Sequence, residues 1–257
     1  REYRYAIADG FSLYPKNYDY QYRGEVTLHY ALSNSLNVPA VKVLEFVGIP
    51  EFIHLLTAEL GFESIQPLEQ YQLGIALGGL EMDLLTLTQY FTIFPREGML
   101  DDKRVAPVPH VQLVNRILND RLTGIEQFGL KSNLNLSQKN YALKTGTSRE
   151  YHDSWIVGYT PDFVIGVWIG NANNTALDKI SGQIGAGAVW SEVMELLFQT
   201  EYNKRTPFGF DQTTEITIDG GETRLNVETQ DLASLQYGLP GDKPEDHQFL
   251  LIGSSVI

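Results

Sequence analysis

Hydrophobic periodicity along the chain comes and goes, and its changes of period mark the elements. Residues 1–25 carry no apolar period; Tyr, Asp and Asn dominate, YPKNYDYQYRG gives several turn signals, and the segment predicts a loop. Helical spacing starts after Thr27, a suitable N-cap, with Leu28, Ala31, Leu32 and Ser35 on one face. Pro39 disfavours helix at Val38 and is expected to end this helix near Asn37. AVKVLEFVG predicts a second helix stopped by Gly48, and Pro50 opens a third, PEFIHLLTAELG, closed by Gly61. The next stretch combines a Gly-rich bend at Gly74, Gly78 and Gly79, expected to pack a helix on a sheet, with an amphipathic helix over residues 84–94 broken by Pro95. Residues 105–118 alternate and predict a strand, and a polar loop, 119–139, follows.

The strongest β pattern comes next. YALKTGT, SWIVGY and FVIGVWIGN are three apolar runs, the last two joined by TPD as an antiparallel hairpin. After the Gly-rich SGQIGAGA, the helix VWSEVMELLFQ is expected to lie back across that sheet. From about residue 206 the character changes: two Thr-rich strands flank Asp219-Gly220-Gly221, and HQFLLIGSSVI offers another. Helices, then an antiparallel sheet, then a covering helix make an α+β fold, with a small β-rich C-terminal segment.

Composition narrows the function. The 257 residues are 43% hydrophobic, enough to bury a core as one large domain with a small appendage. With 32 acids against 19 bases, the formal charge is -13, and Lys/Arg runs stop at two residues, so nucleic acid and anionic membrane surfaces are repelled. Cysteine is absent, which removes disulfides and thiolate chemistry. His29, His54, His110, His152 and His247 show no metal-ligand spacing, so neither a metal nor another cofactor is expected. No apolar run approaches the roughly 18 residues a spanning helix needs. Residue 1 enters a polar stretch with neither Met nor leader, and the chain is expected to be a fragment.

KTGT is the local anomaly. A lysine inside a strand costs desolvation unless its ammonium meets water or an anion. Alternation puts Lys144, Gly146 and Ser148 on one face and Thr145 and Thr147 on the other. A cation, hydroxyls and a Gly146 gap beside a strand edge suit a carboxylate-bearing peptide added as a strand. From KTG alone, a solvated edge-strand lysine serves equally well. SNSLNVPAV supplies a second motif, Ser35-Leu36-Asn37, an S-x-N triplet at a helix break that precedes KTG in the order of the set S-x-x-K, S-D-N, K-T-G.

YPKNYDYQYRGEVTLHYALSNSLNVPAVKVLEFVG, GIALGGLEMDLLTLTQYFTIFPREG and LKTGTSREYHDSWIVGYTPDFVIGVWIGN resemble, in the same order, the transpeptidase domain of class A penicillin-binding proteins over about residues 5–200. The YPKNYD and SLNVPAV wording is most similar to the penicillin-binding protein 1C subgroup. The resemblance implies the penicillin-binding/β-lactamase-like transpeptidase fold, an antiparallel sheet flanked by helices. Residues 1–205 would be the C-terminal part of that domain and 206–257 the start of a β-rich extension. It implies peptidoglycan D,D-transpeptidation through a serine acyl-enzyme, with peptidoglycan stem peptides as substrates and β-lactams as acylating ligands. Ser35 and Asn37 would take the S-x-N roles of proton relay and substrate-amide binding, Asn37 also steadying the S-x-x-K lysine. Lys144 would supply positive potential and support proton transfer. Thr145 and Thr147, with Gly146 between them, would hold the substrate carboxylate, and the Thr147 N–H would form half of an oxyanion hole, a donor worth roughly 3 kcal/mol.

One part of the pattern is missing: no Ser here is followed by Lys three residues on. Ser12, with Lys16 four residues on, lacks the family context, and Ser35 belongs to the relay. The nucleophile, the first sheet strands, a glycosyltransferase domain and a membrane anchor are expected upstream, in an extracytoplasmic protein on the periplasmic face of the inner membrane of a diderm. The 257 residues alone are expected to be inactive and poorly soluble. Cell-wall synthesis proteins are candidate partners of the extension. The competing expectation is a non-catalytic penicillin-fold module that binds wall peptide or a protein partner. His152-Asp153-Ser154 is a chance adjacency rather than a triad, because neighbours in a strand point to opposite faces. Trp155 and Trp168 are expected in the core, and Tyr18, Tyr20 and Tyr22 are candidates for a groove lining.

Overall fold

The computed structural model describes residues 5–8, 11–67, 71–148, 151–177, 181–218 and 222–226. Its centre is a three-stranded antiparallel sheet, β5 (Ala142–Thr147), β6 (Asp153–Tyr159) and β7 (Val164–Gly170), in that order. Lys144 faces Val157 and Gly146 faces Trp155 in an unbroken register, so the alternation expected along KTGT is realised. The β6–β7 turn is held by the Thr160 hydroxyl, which accepts from the amides of Asp162 and Phe163 at 3.1 and 3.3 Å. Helix α7 (Ala186–Leu197) lies across the sheet as expected. Its Trp190 and Met194 pack with Leu143, Ile156, Tyr141 and Leu134 into the main core.

The other face of the sheet meets α4 (Leu84–Phe91), which ends at Phe91 rather than Phe94; Phe91 and Phe94 pack around Tyr159. A second, helical core is built by α2 (Asn37–Val47), α3 (Ile49–His54) and the 3-10 turn Leu73–Leu77, through Leu44, Ile53, Leu56, Phe62, Tyr71 and Ile75. The Gly74-Gly79 bend therefore packs on a helix, not on a sheet. The expected stops hold at Gly48 and Gly61, both at positive φ.

Four expectations are corrected. Strands β1 (Tyr5–Ala8) and β2 (Phe11–Leu13) pair antiparallel, where a loop was expected; each is only three or four residues long, too short to show a period among the surrounding tyrosines. Helix α1 (Leu28–Ser33), capped at Thr27 as expected, ends before Asn37. Pro39 lies instead in the first turn of α2, where a missing N–H costs no helical bond. Residues 108–119 form a helix, α5 (Val108–Asn119), not a strand. Pro107 and Pro109 suit a helix start, and the stripe Val111, Ile117, Leu118 was hidden by two buried polar residues on it, Gln112 and Asn115. Both are satisfied: Asn115 donates to the Phe94 carbonyl at 2.9 Å and accepts from Tyr159 Oη at 2.8 Å, and Gln112 donates to Glu97 and Asp211.

The segment 119–139 is mostly turns but includes α6 (Ile125–Phe128), and its Phe128, Leu134 and Leu136 belong to the main core. Short strands β3 (Met99–Leu100) and β4 (Lys103–Arg104) pair beside α5. Residues 206–212 stay fastened to the sheet and α5: Asn140 bonds both Thr206 and Phe208, and Phe208 packs edge-on against Tyr159. Beyond them β8 (Thr214–Ile218) pairs with β9 (Glu222–Asn226), the expected Thr-rich hairpin. The strand expected in HQFLLIGSSVI lies outside the described residues. No helix among the described residues is long and apolar enough to cross a membrane.

Candidate active site

The site forms where α1 stops. Ser35 N bonds to the Leu32 carbonyl at 3.1 Å and Leu36 N to that of Ala31 at 2.9 Å, the paired bonds of a Schellman ending. Ser35 holds the left-handed position of that motif, φ 53°, usually a glycine's place. A non-glycine residue there is strained, and the strain is held by its surroundings. Buried Asn34 donates to the carbonyls of Tyr30 and Thr123, fixing the end of α1 against the 120–128 turn. Helix α2 has no side-chain cap from Leu36; Asn17, twenty-one residues upstream of Val38, accepts its amide at 3.2 Å instead.

So aimed, Ser35 meets Lys144. The Lys144 Nζ donates to Ser35 Oγ at 2.6 Å and to the Thr145 carbonyl at 3.0 Å. Burial pushes the Lys144 ammonium down to about 8 from the ordinary 10.5. Behind the pair is a small cavity lined by Leu32, Ser33, Asp120, Arg121, Leu143 and Lys144. Burial raises the Asp120 carboxyl, but bonds from the Thr123 hydroxyl and amide outweigh it and hold the group below the usual carboxylate range. The Arg121 guanidinium stacks over Phe128 at 4.7 Å, its basicity lowered by burial.

The edge of β5 away from β6 carries no strand among the described residues. Ser148 N bonds to the Asp153 carbonyl at 3.1 Å, which sets the phase of the ladder: the amides of Thr145 and Thr147 face the unpaired edge. The Thr147 side chain is on the opposite sheet face from Lys144, and its Oγ1 accepts from Gly182 N at 2.9 Å. The expected gap at Gly146 is occupied on the side toward Trp155, whose Cβ would stand only 3.3 Å from an added methyl, a close contact across the strand pair. Asn37, first residue of α2, donates to the Lys16 carbonyl at 2.8 Å. Ser35, Lys144 and the β5 edge thus come together, whereas Asn37 is engaged with the tyrosine-rich segment.

Trp155 and Trp168 pair at 6.1 Å, but Trp168 is 38% exposed, so the core expectation for it fails. Its indole bonds to Asp153, His152 to the Asn174 carbonyl, and buried Ser154 to Ser181 and Ala186; the three adjacent residues serve three separate contacts. The sequence pattern missed Asn17, whose only signal is an asparagine among turn residues, and Arg121, which has none.

No protein-family model matches the chain. Among curated proteins, it is 29% identical over 216 residues to penicillin-binding protein 1A of Aquifex aeolicus (strain VF5), covering 75% of this chain and 28% of the relative. It is 29% identical over 201 residues to penicillin-binding protein 1C of Escherichia coli (strain K12), covering 74% and 25%. Among solved structures, penicillin-binding protein 1A from Haemophilus influenzae superposes with a TM-score of 0.74 at 17% identity, over 89% of this chain and 44% of that one. The fold is that of a penicillin-binding transpeptidase domain. The D,D-transpeptidase domain of a peptidoglycan glycosyltransferase from Eggerthella lenta gives 0.57 at 18% identity, over 76% and 58%. The homologues are class A penicillin-binding proteins, of whose length the chain spans about a quarter to a third.

Proposed function

We propose that this chain is the C-terminal part of a peptidoglycan D,D-transpeptidase, within a bifunctional glycosyltransferase/transpeptidase that acts outside the cytoplasm. The observation that carries this is the 2.6 Å contact between Lys144 of KTG and Ser35 of S-x-N, 109 residues apart, beside an unpaired strand edge. An extended stem peptide would add to β5 through the Thr145 and Thr147 amides, its carboxylate drawn by the Lys144 charge. A serine outside these residues would attack the D-Ala-D-Ala carbonyl, with the Thr147 N–H as one oxyanion donor and Ser35 and Lys144 passing the proton to the leaving amine. Asn37 would bind a substrate amide after exchanging its bond to Lys16. A β-lactam would acylate the same serine. Residues 1–205 would belong to the transpeptidase domain and 206–257 to a β-rich extension.

The absence of S-x-x-K from these residues favours a second reading, a penicillin-fold module that binds wall peptide without turnover. Labelling with a fluorescent penicillin separates the two. The full-length gene product is expected to form a stable acyl-enzyme and this chain none. No labelling of the full-length product would leave the binding module.

A further inference from the structure

The tyrosine-rich segment 14–22 plays no part in the acyl-transfer scheme, yet it is built with care. Tyr14, Tyr18, Tyr20 and Tyr22 are all exposed, Tyr18 by 56%. Such exposed rings suggest contact residues, since each presents a rigid apolar face and one polar tip. The segment carrying them is pinned from beneath. Pro15 and Asn17 are buried, and Asn17 holds both the Val38 amide and the Gln21 carbonyl, at 3.2 and 2.7 Å. Arg23 binds Asp19 at 2.5 Å and reaches Glu126 at 3.4 Å.

At one end this segment is tied to Asn37 and Val38, two and three residues beyond Ser35. At the other, Tyr18 Oη lies 3.3 Å from the Oη of Tyr151, 133 residues away. Tyr151 follows β5 at φ 61° and is fixed through its amide to Ser148 and its carbonyl to Leu177, at 3.1 and 2.8 Å. From Lys144, which touches Ser35, β5 runs on to Thr147 and the chain then to Ser148, whose carbonyl accepts from Tyr151; along this stretch lie the unpaired amides of Thr145 and Thr147. The two phenols therefore meet at the Thr147 end of the line that an added peptide strand would follow.

We propose that Tyr18 and Tyr151 are specificity-determining residues that clasp an extended peptide against the edge of β5, and that their hydrogen bond opens to admit it. This rests on the acyl-transfer reading of the same site. A strand advances about 3.4 Å per residue, so a peptide of several residues reaches from Lys144 to the tyrosine pair, whereas a compact bicyclic lactam seated at Ser35 and Lys144 does not. Chain-like substrates should depend on the phenols and compact ones should not.

The test uses the full-length gene product with Tyr18→Ala, Tyr151→Ala and the conservative Tyr18→Phe. Two rates are measured on each: acylation by a fluorescent penicillin, and turnover of a synthetic pentapeptide ending in D-Ala-D-Ala. The alanine variants are expected to raise KM for the pentapeptide about tenfold, and Tyr18→Phe about threefold, with kcat and penicillin acylation within about twofold of native. Equal losses on both substrates, or no change on either, would overturn the clasp. A native protein that takes no penicillin sinks the acyl-transfer reading instead. The clasp is then decided by a pentapeptide binding titration on the same variants, where unchanged or absent binding overturns it.

Discussion

The two faces of the central sheet are built from the same three strands and differ in almost everything else. On the α7 face, Leu143, Ile156, Trp190 and Met194 are essentially inaccessible to solvent, and Gly158 is bare because the Trp190 indole occupies the space a methyl would need. On the α4 face, packing is complete only at the Ala142–Tyr159 end. Toward Thr147 the same face offers Lys144, Gly146, Trp155 and an exposed Trp168. One face supplies the stability, and the end of the other has given up packing for a cation and an unpaired edge. A site of this kind needs a rigid backing, because a displaced β5 would move Lys144 away from Ser35.

The contrast can be broken most directly at Trp190. Trp190→Ala should cost about 4 kcal/mol through transfer and cavity terms, with loss of cooperative unfolding in a denaturant melt; a cost below about 1 kcal/mol would mean the α7 face is no better packed than its opposite. Gly158→Ala probes the same contact by overfilling and should destabilise by about 2 kcal/mol, read as a lower melting temperature. Lys144→Met, on the open face, should act in the other direction. The folded value near 8 lies below the free 10.5, so the folded chain binds fewer protons than the unfolded one between those pH values. Native stability should therefore rise as pH climbs from about 8 to 10.5, and the cost of the buried ammonium is fully present below 8. Lys144→Met should abolish that slope and melt higher at pH 7, by on the order of 1 kcal/mol. Parallel melts at pH 7 and 10 decide it: a methionine variant less stable at pH 7 would show that Lys144 is part of the packing rather than a departure from it.

Much of this arrangement was legible in the sequence because its causes are local. Three apolar runs with a Thr-Pro-Asp turn determine a hairpin almost unaided, and Lys144 in mid-strand announces itself by its desolvation cost. Ser35 at a helix break was legible for the same reason. What escaped notice depends on partners distant in the chain. Gln112 and Asn115 look like exposed polar positions until Glu97, Asp211, Phe94 and Tyr159 are seen to satisfy them, and their presence disguised a helix as a strand. Asn17 caps α2 from another segment, and Tyr18 meets Tyr151 across most of the domain; neither leaves a periodic trace.

The backbone at Ser35 carries a practical warning. By conformational preference alone, glycine is the better residue at the left-handed end of α1, and Gly replacing Ser there relieves strain of about 1 kcal/mol. A stability-guided redesign would accept that change early and report an improved protein, having removed the hydroxyl that Lys144 touches. At this position, thermostability and usefulness are opposing objectives.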